Sequence, residues 1–168
     1  TPLTTNYYSV YPMPAESPSH GTRIKVSNTS ADPIASPAGW HRVGANTYKT
    51  TRGNNVFAYE DPNNTGYVGL GQEVYGYSPD GGDNLLFDFE VDFKKQPVEY
   101  RDAAIANLFY WNNLIHDVWY QYGFDEASGN FQADNFGRGG TAGDHVMAEA
   151  QDSRNIPNPP PGVTTRNN

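Results

Sequence analysis

Residues 98–122 read VEYRDAAIANLFYWNNLIHDVWYQY. Ala104, Leu108, Trp111, Ile115, Val118 and Tyr122 recur at alternating steps of four and three, which is the helical period. Ile105, Phe109, Leu114 and Trp119 widen this apolar stripe. Pro97 suits a first helical turn, and Gly123 suits a C-terminal stop. The span predicts one long helix over 98–122. So broad an apolar face requires a covering layer, and the expected cover is a sheet.

The residues before the helix supply that sheet. Short strands are expected at 7–11, 23–26 and 54–59, and at 85–93. In the last of these, Leu85, Phe87, Phe89, Val91 and Phe93 alternate with polar partners, as in a half-buried strand. Residues 66–82 are glycine-rich and read as a surface loop. After the helix, 125–143 is polar and dotted with glycine, and 145–151 alternates again as a strand. Residues 156–162, IPNPPPG, cannot enter a sheet interior because proline lacks the ladder donor. The fold class expected is α+β: a mixed, turn-rich β-sheet lobe with one long buried helix, spanning 1–168.

Composition narrows the function. With 168 residues the chain makes one domain, and its core must be aromatic: 12 Tyr, 8 Phe and 3 Trp offset an apolar share of only 36%. A net charge of −8 argues against nucleic acid and anionic membranes as partners. The absence of cysteine excludes disulfides, thiolate metal sites and cysteine nucleophiles. No stretch reaches the ~20 apolar residues that a membrane helix needs.

A hydrolytic zinc site takes three protein ligands, two of them compactly supplied by H-E-x-x-H on a helix. His20, His41, His116 and His145 each lack a second histidine four residues on. His145 and Glu149 would share a helical face, but the local alternation favours a strand that separates them. His116, beside the apolar stripe, reads as a buried structural histidine. Two acidic turns carry hard oxygen ligands suited to calcium: Asp61 with Asn63, and Asp80 with Asp83. Neither has EF-hand spacing, and such turns also form through local hydrogen bonds alone. Asn28-Thr29-Ser30 and Asn63-Asn64-Thr65 fit the glycosylation sequon.

Four collinear stretches resemble the fungalysin family of metallopeptidases: residues 8–12 (YSVYP), 50–56 (TTRGNNV), 100–124 and 129–132 (GNFQ), the last followed by Ala150-Gln151-Asp152. The resemblance covers nearly the whole chain and implies the N-terminal lobe of a secreted, extracellular zinc endopeptidase with a thermolysin-like fold. It implies that the zinc ligands, H-E-x-x-H and a distant glutamate, follow position 168, so the chain alone is inactive. The partners it implies are the C-terminal zinc-binding lobe, a peptide substrate, and a propeptide before activation. Asn167 and Asn168 resemble the start of the family's N-N-A-N-F edge strand, which pairs with substrate backbone. The insertion at 153–166 departs from the family's shorter connection and is expected near the cleft rim. Two other readings stay open at this point: a non-catalytic interaction module derived from such a lobe, and a carbohydrate-binding β-module, which the long helix fits poorly. Either a fragment or a chain nicked in the 153–166 loop is expected under the leading reading.

Overall fold

A computed structural model describes residues 6–63 and 76–152. The strands are β1 (Tyr7–Val10), β2 (Ile24–Ser27), β3 (Arg42–Val43), β4 (Asn46–Thr47), β5 (Val56–Glu60), β6 (Leu86–Phe87) and β7 (Val146–Ala150). The helix α1 (Arg101–Gln121) follows a 3-10 turn at Pro97–Tyr100. The fold is α+β, as the sequence predicts.

Local chemistry sets both helix ends. Pro97 opens the 3-10 turn, and the Gln96 N–H donates to Glu99 Oε2 at 3.1 Å, satisfying a donor before the helix begins. At the other end Gly123 adopts φ 91°, and the Phe124 N–H turns back to the Trp119 carbonyl at 3.1 Å.

β1 is the centre of one sheet, with β2 antiparallel on one edge and β6 parallel on the other. β5 and β7 run parallel, with Val56 opposite Val146 and Glu60 opposite Ala150. Helix α1 packs across β1, β5 and β7. Between helix and sheet lies an aromatic core. Tyr8 is wholly buried and touches the rings of Trp40, His41, Phe87, Phe109 and Tyr110.

Two expectations need correction. The strand expected at 85–93 survives only as Leu86–Phe87. Beyond it, the Asp88 carboxylate binds Tyr7 Oη at 2.9 Å, Lys25 Nζ at 2.8 Å and Ser9 Oγ, so side chains replace the ladder. The helix is also turned relative to the expected stripe. Its buried residues are Ala103, Ile105, Ala106, Phe109, Tyr110, Asn113 and Asp117, whereas Ile115, Val118, Trp119 and Tyr122 are exposed. Apolar side chains occupy both faces, so periodicity alone could not choose between them. The inward face is selected by Asn113 and Asp117, whose hydrogen-bond partners come from distant loops.

His41 links this core to acid stability. Its Nδ1–H donates to the Thr50 carbonyl at 3.0 Å, which leaves Nε2 to accept from Tyr8 Oη at 2.6 Å. Burial lowers its pKa to about 4, against the pull of its backbone hydrogen bonds. Between that value and ~6.5 only the unfolded chain binds the proton. His41 therefore contributes stability fully present above ~6.5, and up to ~3 kcal/mol is lost as pH falls through the window to 4. Urea unfolding of the intact protein across pH 4–7 should show this slope, and His41→Gln should flatten it by about one proton. An unchanged slope in the variant would assign the acid sensitivity to other groups.

Candidate functional site

Each stretch singled out in the sequence delivers side chains to one buried assembly. In the TTRGNNV segment, Gly53 lies so close to Trp40 that a Cβ would meet the Trp40 carbonyl oxygen at 1.6 Å. Glycine is required there for close backbone approach, not for an unusual φ. The next residue, Asn54, acts as a surrogate strand. Its amide donates to the Asp134 carbonyl at 2.9 Å and its oxygen accepts from the Asp134 N–H at 2.8 Å.

Asn55 then reaches inward, donating to Ser36 Oγ at 2.9 Å and to Asn113 Oδ1 on α1 at 3.1 Å. Gln132 is fully buried and donates to the Ala35 carbonyl and to Asn55 Oδ1, each at 3.4 Å. Asn130 donates to Gln132 Oε1 at 3.2 Å.

Asp117 is the hub. One carboxylate oxygen accepts from the Asp32 N–H at 2.9 Å and Trp40 Nε1 at 2.8 Å. The other accepts from Ser36 Oγ at 2.6 Å and His116 Nδ1 at 3.0 Å. His116 is thus a buried structural histidine whose side chain is 8% exposed, and its remaining nitrogen faces Asn130. Three of these four donors come from residues 32–40 and fix α1 against that loop. The assembly is buried and hydrogen-bonded throughout, apart from Asn130 Oδ1, which has no partner among the described residues. It is a scaffold.

Metal-capable groups meet elsewhere. Asp61, Glu149 and Asp152 bring one carboxylate oxygen each within 4.8 Å of one another. The parallel register of β5 and β7 makes this possible: Glu60 lies opposite Ala150, and the Asp61 N–H donates to the Ala150 carbonyl at 3.3 Å. Tyr59 Oη holds Glu149 Oε1 at 2.7 Å. Among the described residues this is the one grouping of three such side chains, and it contains no histidine. Its all-oxygen donor set suits a hard cation and does not fit a hydrolytic zinc, which takes imidazoles.

The sequence singled out Asp61 but not Glu149 or Asp152. Only the strand register, between residues some 90 positions apart, could have revealed them. Asn63 is exposed two residues beyond Asp61. Asp80 and Asp83 lie apart from the cluster. The Asp80 carboxylate accepts from the Gly82 N–H at 2.7 Å, and Asp83 pairs with Lys49, which lowers its pKa. His145 precedes β7 and is not a member of the carboxylate group. Asn167, Asn168, the 153–166 insertion and most of the 66–82 loop fall outside the described residues. Among the described residues, no helix is long and apolar enough to cross a membrane.

The family described as Fungalysin metallopeptidase (M36) matches residues 7–164. An extracellular metalloproteinase, mep, of Aspergillus flavus is 40% identical over 165 residues, covering 95% of this chain and 25% of the relative. Extracellular metalloproteinase 1 of Arthroderma gypseum and extracellular metalloproteinase 2 of Trichophyton tonsurans are each 37% identical, again over 95% of this chain. The chain spans about a quarter of the length of these relatives. Tyr8, the Gly53–Asn55 segment, the Asn113–Asp117 helix face and the Asn130–Gln132 segment form one packed unit inside the matched span, and the chain belongs to the fungalysin metallopeptidase family.

Proposed function

We propose that this chain is the N-terminal lobe of an extracellular zinc endopeptidase and forms one wall of its substrate cleft. On this reading it is inactive until joined to the lobe that carries the metal. The observation that carries the proposal is a family match across residues 7–164 in a chain whose four histidines form no H-E-x-x-H. The relatives' length, about four times that of this chain, supports a second lobe.

Zinc, when bound by the whole protein, supplies a polarised carbonyl and a water of lowered pKa. The residues described here do neither. They hold the helix and sheet rigid beside the reaction, which is how a cleft keeps its geometry. Extracellular location follows the relatives' names and is part of the same proposal.

Asn167 and Asn168 are proposed to meet the substrate, donating to its carbonyl and accepting from its N–H. Asn168→Ala in the intact enzyme should lower kcat/KM about fivefold to tenfold, the worth of one such bond. Stability should stay unchanged, and an unaltered kcat/KM would remove the residue from the cleft. For the function itself, the intact protein should hydrolyse an unfolded protein substrate, lose that activity to a zinc chelator and regain it with added zinc. Folded intact protein without peptidase activity would support a non-catalytic module instead.

A further inference from the structure

The sequon Asn28-Thr29-Ser30 belongs neither to the aromatic core nor to the carboxylate group. It forms a 3-10 turn directly after β2, and none of its three residues is buried. Thr29 and Ser30 are exposed, and Asn28 is half-buried. The turn is held without the Asn28 side chain. The Asn28 backbone N–H donates to the Asn6 carbonyl at 2.8 Å, and Ser27 Oγ accepts from the Thr29 N–H at 3.2 Å. Ser27 and Thr29 also pair their hydroxyls at 2.8 Å. Neither the Asn28 amide nor the Ser30 hydroxyl is needed to close the turn.

The contrast with other asparagines of this fold is chemical. Asn54, Asn55, Asn113, Asn130 and Asn135 each commit their side-chain NH2 to an internal hydrogen bond. Among the described residues the Asn28 amide makes no such bond. A glycan replaces one amide hydrogen and needs open space beyond it. An uncommitted surface asparagine can carry one, and a committed buried one cannot. The second sequon, Asn63-Asn64-Thr65, ends outside the described residues.

We propose that Asn28 accepts an N-linked glycan when the intact protein passes through a eukaryotic secretory pathway. The inference rests on the extracellular reading above, and the fungal source of the extracellular relatives supplies the setting. The co-substrate is an oligosaccharide joined through diphosphate to a lipid carrier. Asn28 Nδ2 forms a bond to the sugar C1, and the bond from C1 to the diphosphate oxygen breaks. The lipid diphosphate leaves with the electron pair, and the Nδ2 proton passes to solvent. The Ser30 hydroxyl, two residues on, is the recognition element. The fold has only to accommodate the product, and at Asn28 it does so without breaking a hydrogen bond or opening the core.

The test uses the intact protein secreted from a eukaryotic expression host. Release by a peptide N-glycosidase in heavy-oxygen water leaves labelled aspartate wherever a glycan was attached. Label should appear at position 28 in most molecules. Ser30→Ala should lower it about tenfold, and Ser30→Thr should retain it. Ser30 is exposed, so both variants should unfold at the parent's urea midpoint. An unlabelled position 28 in folded, secreted protein overturns the proposal. So does label confined to Asn63, or label at 28 that Ser30→Ala leaves unchanged. Peptidase activity of the same sample keeps the two readings apart. An active enzyme in the medium with a bare Asn28 retains the peptidase reading and loses the glycan site. A glycosylated Asn28 in protein without peptidase activity does the reverse.

Discussion

Asp117→Ala should cost the intact protein about 3–5 kcal/mol of unfolding free energy, because it strands several buried donors at once. The Asp32 N–H, Trp40 Nε1 and Ser36 Oγ all end on this carboxylate, and Trp40 and Ser36 are buried. Asp117→Asn separates charge from geometry. An amide offers one oxygen and one NH2, and both carboxylate positions already face donors. With its oxygen toward the Asp32 N–H and Trp40 Nε1, its NH2 faces Ser36 Oγ and His116 Nδ1, which must turn from donors to acceptors, so the isosteric change should cost less than the alanine, about 2 kcal/mol. Urea denaturation of the intact protein reads both values. A loss below about 1 kcal/mol for the alanine variant would show that the network adds little to the fold.

Gly53→Ala should be at least as damaging, for a different reason. Its Cβ would stand 1.6 Å from the Trp40 carbonyl oxygen and 2.6 Å from the carbonyl carbon. Both are backbone atoms and cannot rotate away. Relief requires moving residue 40, whose indole is 1% exposed and bonded to Asp117. Steric conflict with buried backbone belongs to the small class of substitutions costing more than ~4 kcal/mol. The variant should fail to accumulate as folded protein or should unfold at a sharply lower denaturant concentration. Near-native stability would mean that the 50–55 segment shifts freely against Trp40, contrary to the packing described.

These two sites show where the sequence is readable and where it is not. The helix ends are local: Pro97 with Glu99 at one end and Gly123 at the other act through neighbours within five residues. The strands β1, β2, β5 and β7 were legible for a similar reason, since alternation or a short apolar run is visible along the chain. The orientation of α1 was not. Its buried face includes two polar residues, Asn113 and Asp117, whose partners lie 58 to 85 residues away. Hydrophobic periodicity scores such positions as outward and awards the burial to the stripe through Trp111 and Tyr122.

The 85–93 segment illustrates the converse. Its alternation was real, with Phe87 buried and Phe89 packed against the core. A strand also needs a partner, and past Phe87 the Asp88 carboxylate is held by Tyr7 and Ser9 of β1 and Lys25 of β2 through side chains instead. The carboxylate grouping at Asp61 was half visible for the same reason. Composition exposes an acidic turn, but only the β5–β7 register brings Glu149 and Asp152 to it.

Zinc ligation in the intact protein tests the central claim most directly. Zinc should be measured after replacing the first histidine of an H-E-x-x-H helix beyond residue 168, and in parallel after His20→Asn and His145→Asn within this chain. The account predicts that zinc disappears in the first variant and stays at one equivalent in the other two. Zinc that survives the first change, or is lost with either of the others, would contradict it.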